Sequence, residues 1–219
     1  MGQVAALFDM DRTLLDASSG QLYARYLVRH GLMGRGELAR VTWWSLLNRL
    51  GLLRMENLIP RLLAEAAGDD EAEMRELCDR WFAEDVLPHI TERGQQRLEE
   101  HRAEGHVVAI VSASTQYVVR PMARYLGIAG QYVCTHLESA DGRLTGRVLP
   151  PVCYGVGKVV WAERFAAEHG VDLSASTFYT DSISDRPLLE RVAQPVAVNP
   201  DLRLRKLARR RGWPIERFY

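Results

Sequence analysis

The stretch VAALFDMDRTLLD, Val4 to Asp16, runs five apolar residues and then sets Asp9 and Asp11 two positions apart, with Arg12 and Thr13 behind them. A short apolar run bounded by charged residues predicts a buried strand with the carboxylates at its end. Two carboxylates at the mouth of a buried strand repel each other unless a positive charge sits between them, so the pair points to a bound cation. Taken alone, D-x-D at a strand end also fits a solvated turn. The rest of the chain decides between the two.

At 219 residues the chain is long enough to bury a full core, as one domain or as a core with a smaller insert. Lys plus Arg equals Asp plus Glu, 28 against 28, so no overall field draws the protein to nucleic acid or an anionic membrane. Cys78, Cys134 and Cys153 are odd in number and form no C-x-x-C pair, which argues against a disulfide framework and a structural zinc site. The N-terminus runs straight into the first strand without a basic segment and a cleavage site. The longest greasy patch, Val41 to Leu53, is broken by Asn48 and Arg49 and falls short of the ~20 apolar residues that span a bilayer. The expectation is a soluble, cytoplasmic protein, monomeric or homodimeric, with no nucleic-acid or membrane partner.

From Ala17 to Val86 the pattern is helical. Met74, Leu77, Cys78, Trp81 and Phe82 recur on one helical face behind an N-cap at Asp69 or Asp70, and Leu58, Ile59, Leu62, Leu63 and Ala66 repeat the spacing. From Leu87 onward strands alternate with helices: HVVAIVSAS before a helix, STFYTDS before another opened by Asp185 and Pro187, then PVAVN. Continuous apolar strands alternating with helices predict a parallel sheet covered on both faces, an α/β fold of Rossmann-like type. Tyr132 to Arg147 reads instead as a hairpin turning at Asp141-Gly142. The domains predicted are a core of residues 1–16 and 87–219 and a helical insert of residues 17–86. An insert after the first strand sits over the carboxyl ends of the strands, where open parallel sheets bind ligands.

Parallel strands point the same way, so residues at their carboxyl ends meet on one rim. Asp9 and Asp11, then Ser112 and Ser114, then Asp181 and Asp185 follow three such strands, and Lys158, early in a helix, can reach the same rim. The segment YGVGK is not a P-loop, because the spacing to the first glycine is wrong and Val159 stands where a magnesium-binding hydroxyl belongs. Carboxylates at Asp9 and Asp181 with a carbonyl are hard ligands suited to Mg²⁺. A carboxylate can attack phosphorus and split a hard hydrolysis into two easier steps. A hydroxyl and an ammonium around the same point would offset charge on the transferring oxygens. In this reading one Asp attacks, one handles protons, and Mg²⁺ keeps them together.

The ordered set D-x-D-x-T, Ser, Lys and D-x-x-x-D resembles the phosphatase branch of the haloacid dehalogenase superfamily, in the subclass that contains the phosphoserine phosphatases, over nearly the whole chain. The resemblance implies that Asp9 is the nucleophile and a Mg²⁺ ligand. Asp11 would be the general acid and base and would offer its carbonyl to the metal, with Thr13 supporting the loop. Ser112 and Ala113 would bind the phosphoryl group, Lys158 would hold phosphate and nucleophile together, Asp181 would ligate Mg²⁺, and Asp185 would orient Lys158 and a metal-bound water. The insert would be a mobile cap. The implied activity is Mg²⁺-dependent hydrolysis of a small phosphorylated metabolite through an aspartyl-phosphate. A phosphotransferase or phosphomutase is the alternative, and dehalogenation is disfavoured by Asp11.

Two positions depart from that pattern. Arg12 replaces the small residue common between the second Asp and the Thr. Ser18 stands nine positions beyond the nucleophile, where phosphoserine phosphatases carry an acidic residue for the substrate's ammonium, which moves phosphoserine to second place as substrate. In the insert, Arg61, near the start of a cap helix, is the expected substrate-facing group. Trp43 and Trp44 are expected in the core of the helical bundle, and Leu202 to Arg211 as a solvated helix face. His30, His89, His101, His106, His136 and His169 show no metal-ligand spacing. Nothing near Cys153 argues for a reactive thiolate.

Overall fold

The computed structural model describes residues 2–49 and 55–219. Its strands are β1 (Ala5–Phe8), β2 (Val107–Thr115), β3 (Tyr132–Ala140), β4 (Arg143–Leu149), β5 (Thr177–Thr180), β6 (Gln194–Val198) and β7 (Ile215–Glu216). They form one sheet in the order β4-β3-β2-β1-β5-β6-β7. All neighbours pair in parallel except β3 and β4, the predicted hairpin, which is antiparallel. Asp141 and Gly142 both take positive φ at its turn, the backbone that a two-residue hairpin requires.

The apolar strands are buried on both faces. Ala6 and Phe8 with Val108 and Ile110 face one layer, and Ala5 and Leu7 with Ala109 and Val111 face the other. The first layer is closed by α5 (Glu92–Ala103) and α6 (Gln116–Tyr125), which contribute Leu98, Val119 and Met122. The second is closed by α7 (Val156–His169), α8 (Arg186–Leu189) and α9 (Leu202–Arg211), through Phe165, Leu188, Leu204 and Ala208. After β1 the chain builds outward through β2, β3 and β4. It then returns to place β5 on the other side of β1 and builds outward again. Strand order therefore reverses between β1 and β5, which opens a crevice at their carboxyl ends.

Between β1 and β2 in sequence lie α1 (Ser19–Arg29), α2 (Arg35–Arg49), α3 (Met55–Leu63) and α4 (Glu71–Trp81). Asp70 caps α4 by accepting from the backbone N–H groups of Ala72 and Glu73, at 2.9 and 3.1 Å. The predicted stripe of α4 is buried at Cys78, Trp81 and, just beyond the helix end, Phe82. Trp81 and Phe82 join Tyr26 of α1 in the same cluster as Phe8 and Ile110, so α1 and the end of α4 pack into the main core. A separate cluster of Cys78, Tyr117, Leu137 and Leu144 fastens α4 to α6 and the hairpin.

The expectation for the tryptophans is corrected. Trp43 is 57% exposed, and Trp44 is half-buried with the Arg40 guanidinium 5.1 Å from its ring. Val41, Trp43, Trp44, Leu46 and Leu47 together spread over more than half of the helix circumference, so α2 cannot bury them all against one neighbour. Leu50, Leu52 and Leu53 of the same patch lie outside the described residues. Among the described residues no helix is long and apolar enough to cross a membrane, and the three cysteines are free and buried.

Candidate active site

The crevice between β1 and β5 holds Asp9 and Asp181. Asp9 follows the last residue of β1, and its N–H donates to the Tyr179 carbonyl of β5 at 2.8 Å, so the ladder itself fixes where its carboxylate begins. Lys158, in the first turn of α7, is only 3% exposed. Its Nζ donates to Asp9 Oδ1 and to Asp185 Oδ2, both at 2.7 Å. Thr180 Oγ1 donates to the same Asp185 oxygen at 2.7 Å, while Asp185 Oδ1 is buried without a hydrogen-bond partner among the described residues. Lys158, expected from sequence to reach the rim, is its buried cation, carried there by the first turn of α7.

The loop after Asp9 turns sharply. Arg12 takes the left-handed conformation at φ 55°, uncommon for a residue other than glycine. The turn is tied by Leu15 N–H donating to the Met10 carbonyl and Arg12 N–H donating to the Ala17 carbonyl. Thr13 is fully buried and its Oγ1 has no partner among the described residues. Asp11 points to the start of α1: its two oxygens accept from Ser19 N–H at 2.7 Å and Ser19 Oγ at 3.1 Å. Ser19 Oγ also lies 3.0 Å from Ser114 Oγ, which joins the first loop to the end of β2. Ser112 is buried inside β2 and its Oγ accepts from Ser114 N–H at 3.1 Å. It caps no helix, since α6 begins after Thr115. Ala113 follows it, half-buried.

Burial dominates the electrostatics. It pushes the Asp9 carboxyl up to about 7 even though Lys158 pulls it down. Asp11 is raised by burial against the Ser19 hydrogen bonds. Asp181 is raised well above the ordinary range by burial and then by Asp9. Burial pulls Lys158 down, but Asp185 and Asp9 more than offset it, and the ammonium is held above its usual value. Four carboxylates thus crowd one site whose buried ammonium reaches two of them, Asp9 and Asp185, with Arg12 as a further cation near Asp11 and Asp181. An all-oxygen donor set that lacks counter-charge, with an orphaned oxygen on Asp185, fits a hard divalent cation such as Mg²⁺. Cys153 does not compete as a ligand, because burial pushes its thiol up to about 12.

Arg61 is corrected in position. Proline favours the first turn of a helix, which would put Arg61 near a helix start. Instead α3 runs from Met55 through Pro60, and Arg61 sits exposed in its last turn. The buried residue of α3 is Ile59, and exposed Glu56 approaches the loop before Lys158. Its Oε1 lies 3.5 Å from where a side chain on Gly155 would begin, in the loop that leads to Lys158. Sequence reasoning also missed Asp201. Its N–H donates to the Asp181 carbonyl at 2.8 Å, its Oδ2 accepts from Ile183 N–H at 2.9 Å, and its Oδ1 caps α9. An N-cap signal was visible in the Asp-Leu-Arg-Leu run, but the second role depends on β5 and β6 lying side by side.

Comparison with known proteins shows the family and the fold. The family model of haloacid dehalogenase-like hydrolases matches residues 6–190. The chain is 31% identical to a histidinol-phosphatase of Neisseria meningitidis over 97% of this chain and 98% of that protein. It is 33% identical to a phosphoserine phosphatase of Mycobacterium tuberculosis, over 98% of this chain and 70% of that one. A crystal structure of a protein of unknown function from Bordetella pertussis Tohama I superposes with a TM-score of 0.88 at 32% identity, covering all of both chains. A phosphoserine phosphatase captured as a phospho-aspartyl intermediate analogue superposes with a TM-score of 0.73 at 20% identity, over 100% of this chain and 95% of that one, and shares the fold.

Proposed function

The chain belongs to the haloacid dehalogenase-like hydrolase family, and from that premise we propose that it hydrolyses a small organic phosphomonoester through an aspartyl-phosphate on Asp9. The observation that carries this reading is the buried Asp9–Lys158–Asp185 chain, which holds one carboxylate and one ammonium side by side at the mouth of the switch-point crevice. Residues 1–16 and 87–219 serve as the catalytic core and residues 17–86 as the cap.

In the first step an Asp9 oxygen forms a bond to phosphorus as the ester oxygen departs, and Asp11 gives that oxygen its proton. In the second, Asp11 takes a proton from water as the water oxygen attacks phosphorus, and the Asp9–phosphorus bond breaks to release phosphate. A carboxyl raised by burial, as Asp11 is, suits this alternation. Its hold on Ser19 links the proton step to the position of α1. Ser112, the N–H of Ala113 and Lys158 receive the phosphoryl oxygens, Thr13 supports the loop, and Asp185 keeps Lys158 in place. Asp9, the Asp11 carbonyl and Asp181 would hold Mg²⁺, which when bound supplies charge stabilisation to the phosphoryl group.

Substrate choice falls to the cap. Ser18 offers no carboxylate to an ammonium, whereas Glu56 of α3 approaches the loop before Lys158. Histidinol phosphate ranks ahead of phosphoserine because the histidinol-phosphatase relative matches along nearly the whole of both chains and Ser18 departs from the phosphoserine phosphatase pattern. The test is kcat/KM with Mg²⁺ for histidinol phosphate, phosphoserine, phosphocholine, phosphoethanolamine and glycerol phosphate, in the wild type and in Asp9→Asn, Glu56→Gln and Arg61→Ala. Asp9→Asn should lower kcat by at least ~10⁴, the scale of losing a nucleophile. Loss of less than tenfold would remove Asp9 from that role, and phosphoserine leading by tenfold would overturn the reading of Ser18. Glu56→Gln should reduce the amine-bearing esters selectively, by about tenfold for a lost charged hydrogen bond. Arg61→Ala, exposed in the last turn of α3, should leave the preference unchanged.

A further inference from the structure

The fold brings together three residues in which the sequence shows no ligand spacing. We propose that His101, Glu104 and His106 form a second metal site, for a divalent transition metal of the zinc type, where α5 ends and β2 begins. It lies at the opposite end of β2 from Ser112 and shares no residue with the Asp9 site.

The backbone builds the pair of imidazoles. Gly105 takes φ 77° just past the end of α5, its N–H donates to the Arg102 carbonyl at 3.0 Å, and the His106 N–H donates back to the His101 carbonyl at 3.0 Å. That closure of a helix commonly packs an apolar side chain after the glycine against one in the last turn. Here both places hold histidine, so two ring nitrogens meet where hydrocarbon would ordinarily pack.

Their geometry suits a small cation. His101 Nδ1 and His106 Nδ1 lie 2.9 Å apart, and Glu104 Oε2 lies 3.9 Å from the first and 3.4 Å from the second. A point about 2.0 Å from all three atoms exists, which is the bond length zinc makes to imidazole nitrogen and carboxylate oxygen. The far nitrogen of His101 is already committed: Nε2 lies 2.8 Å from the Tyr179 hydroxyl. A proton on Nε2 leaves Nδ1 with its lone pair toward the cluster, the outer hydrogen bond that ligating histidines typically make. Glu104 supplies negative charge, and the carbonyl end of a helix favours a cation. Two imidazoles select zinc-like ions over Mg²⁺, which prefers oxygen.

The site would brace the sheet under the catalytic rim. The His101 ring packs edge-on against Phe8 at 6.1 Å, and Tyr179 stacks on Phe8 at 4.6 Å. Phe8 and Tyr179 immediately support the ends of the strands that carry Asp9 and Asp181.

The test is calorimetric titration of the chelator-treated full chain with Zn²⁺ in a large excess of Mg²⁺. One equivalent should bind and raise Tm. His106→Ala and Glu104→Gln, both at the surface end of the cluster, should weaken that equivalent by at least ~100-fold while circular dichroism shows an intact fold, and Tyr179→Phe should weaken it by about tenfold. Asp181→Asn should leave it unchanged. Absence of the zinc equivalent, or its persistence in His106→Ala, or its loss in Asp181→Asn alone, would overturn the site.

Discussion

Asp181 carries the clearest conflict between stability and chemistry. Its carboxyl is buried beside Asp9, and both facts raise its affinity for a proton. A carboxyl whose folded-state value lies above the unfolded 3.8 favours the fold fully below 3.8, and that contribution is lost as pH rises through the folded value. Asparagine does not ionise, so Asp181→Asn should stabilise the Mg²⁺-free chain at about pH 8 and make little difference at about pH 4. Urea unfolding midpoints of both proteins at the two pH values test this, and an equal difference at both would show that ionisation is not the cause. Lys158 is the mirror case. Its positive charge is tolerated in the interior because two carboxylates reach it, and removing one partner of such a buried pair typically costs about 3–5 kcal/mol.

At the scale of elements, the start of α7 is set by a single glycine. A Cβ on Gly157 would meet the backbone carbonyl oxygen of Val152 at a distance no side chain can occupy, so the loop from Pro151 to Tyr154 and the first turn of α7 can pack together only without one. Lys158 is the next residue. Gly157→Ala should therefore displace the ammonium from Asp9. A misplacement of about 1 Å is enough to cost about 10²-fold in rate, and overpacking typically costs about 1–3 kcal/mol in stability. Gly36→Ala on α2 is the control, because among the described residues nothing outside its own helix turn lies within 4 Å of its new Cβ. That variant should keep full kcat/KM, and a Gly157→Ala enzyme with the same activity would show that α7 does not position Lys158.

The whole molecule is a sheet that delivers carboxylates from separate strands to one crevice, and a folded chain with that excess of negative charge should be metal-linked. A ligand bound only by the folded state raises stability in proportion to the logarithm of its concentration above Kd. Mg²⁺ should accordingly raise Tm of the wild type progressively and leave Asp181→Asn unmoved, while chelator abolishes hydrolysis and Mg²⁺ restores it. Ca²⁺, with its larger and looser shell, should restore it poorly. Full activity in excess chelator would contradict the donor set of Asp9, Asp11 and Asp181.

Much of this was legible without coordinates. Apolar periodicity and continuous runs determined the strands, the hairpin turn at Asp141-Gly142 and the stripe of α4, because local backbone preference and burial period act over a few neighbouring residues. The order of D-x-D, Ser, Lys and D-x-x-x-D also told which residues to look for at the strand ends. Only the tertiary structure decided what meets what. It buried Lys158 between Asp9 and Asp185, turned Asp11 to Ser19, exposed Trp43, put Glu56 near the loop before Lys158 and Arg61 in the last turn of α3, and folded His106 back over His101. Each of those outcomes depends on contacts between segments distant in sequence, or on a single left-handed glycine that reverses the chain, and neither leaves a periodic trace in the residues themselves.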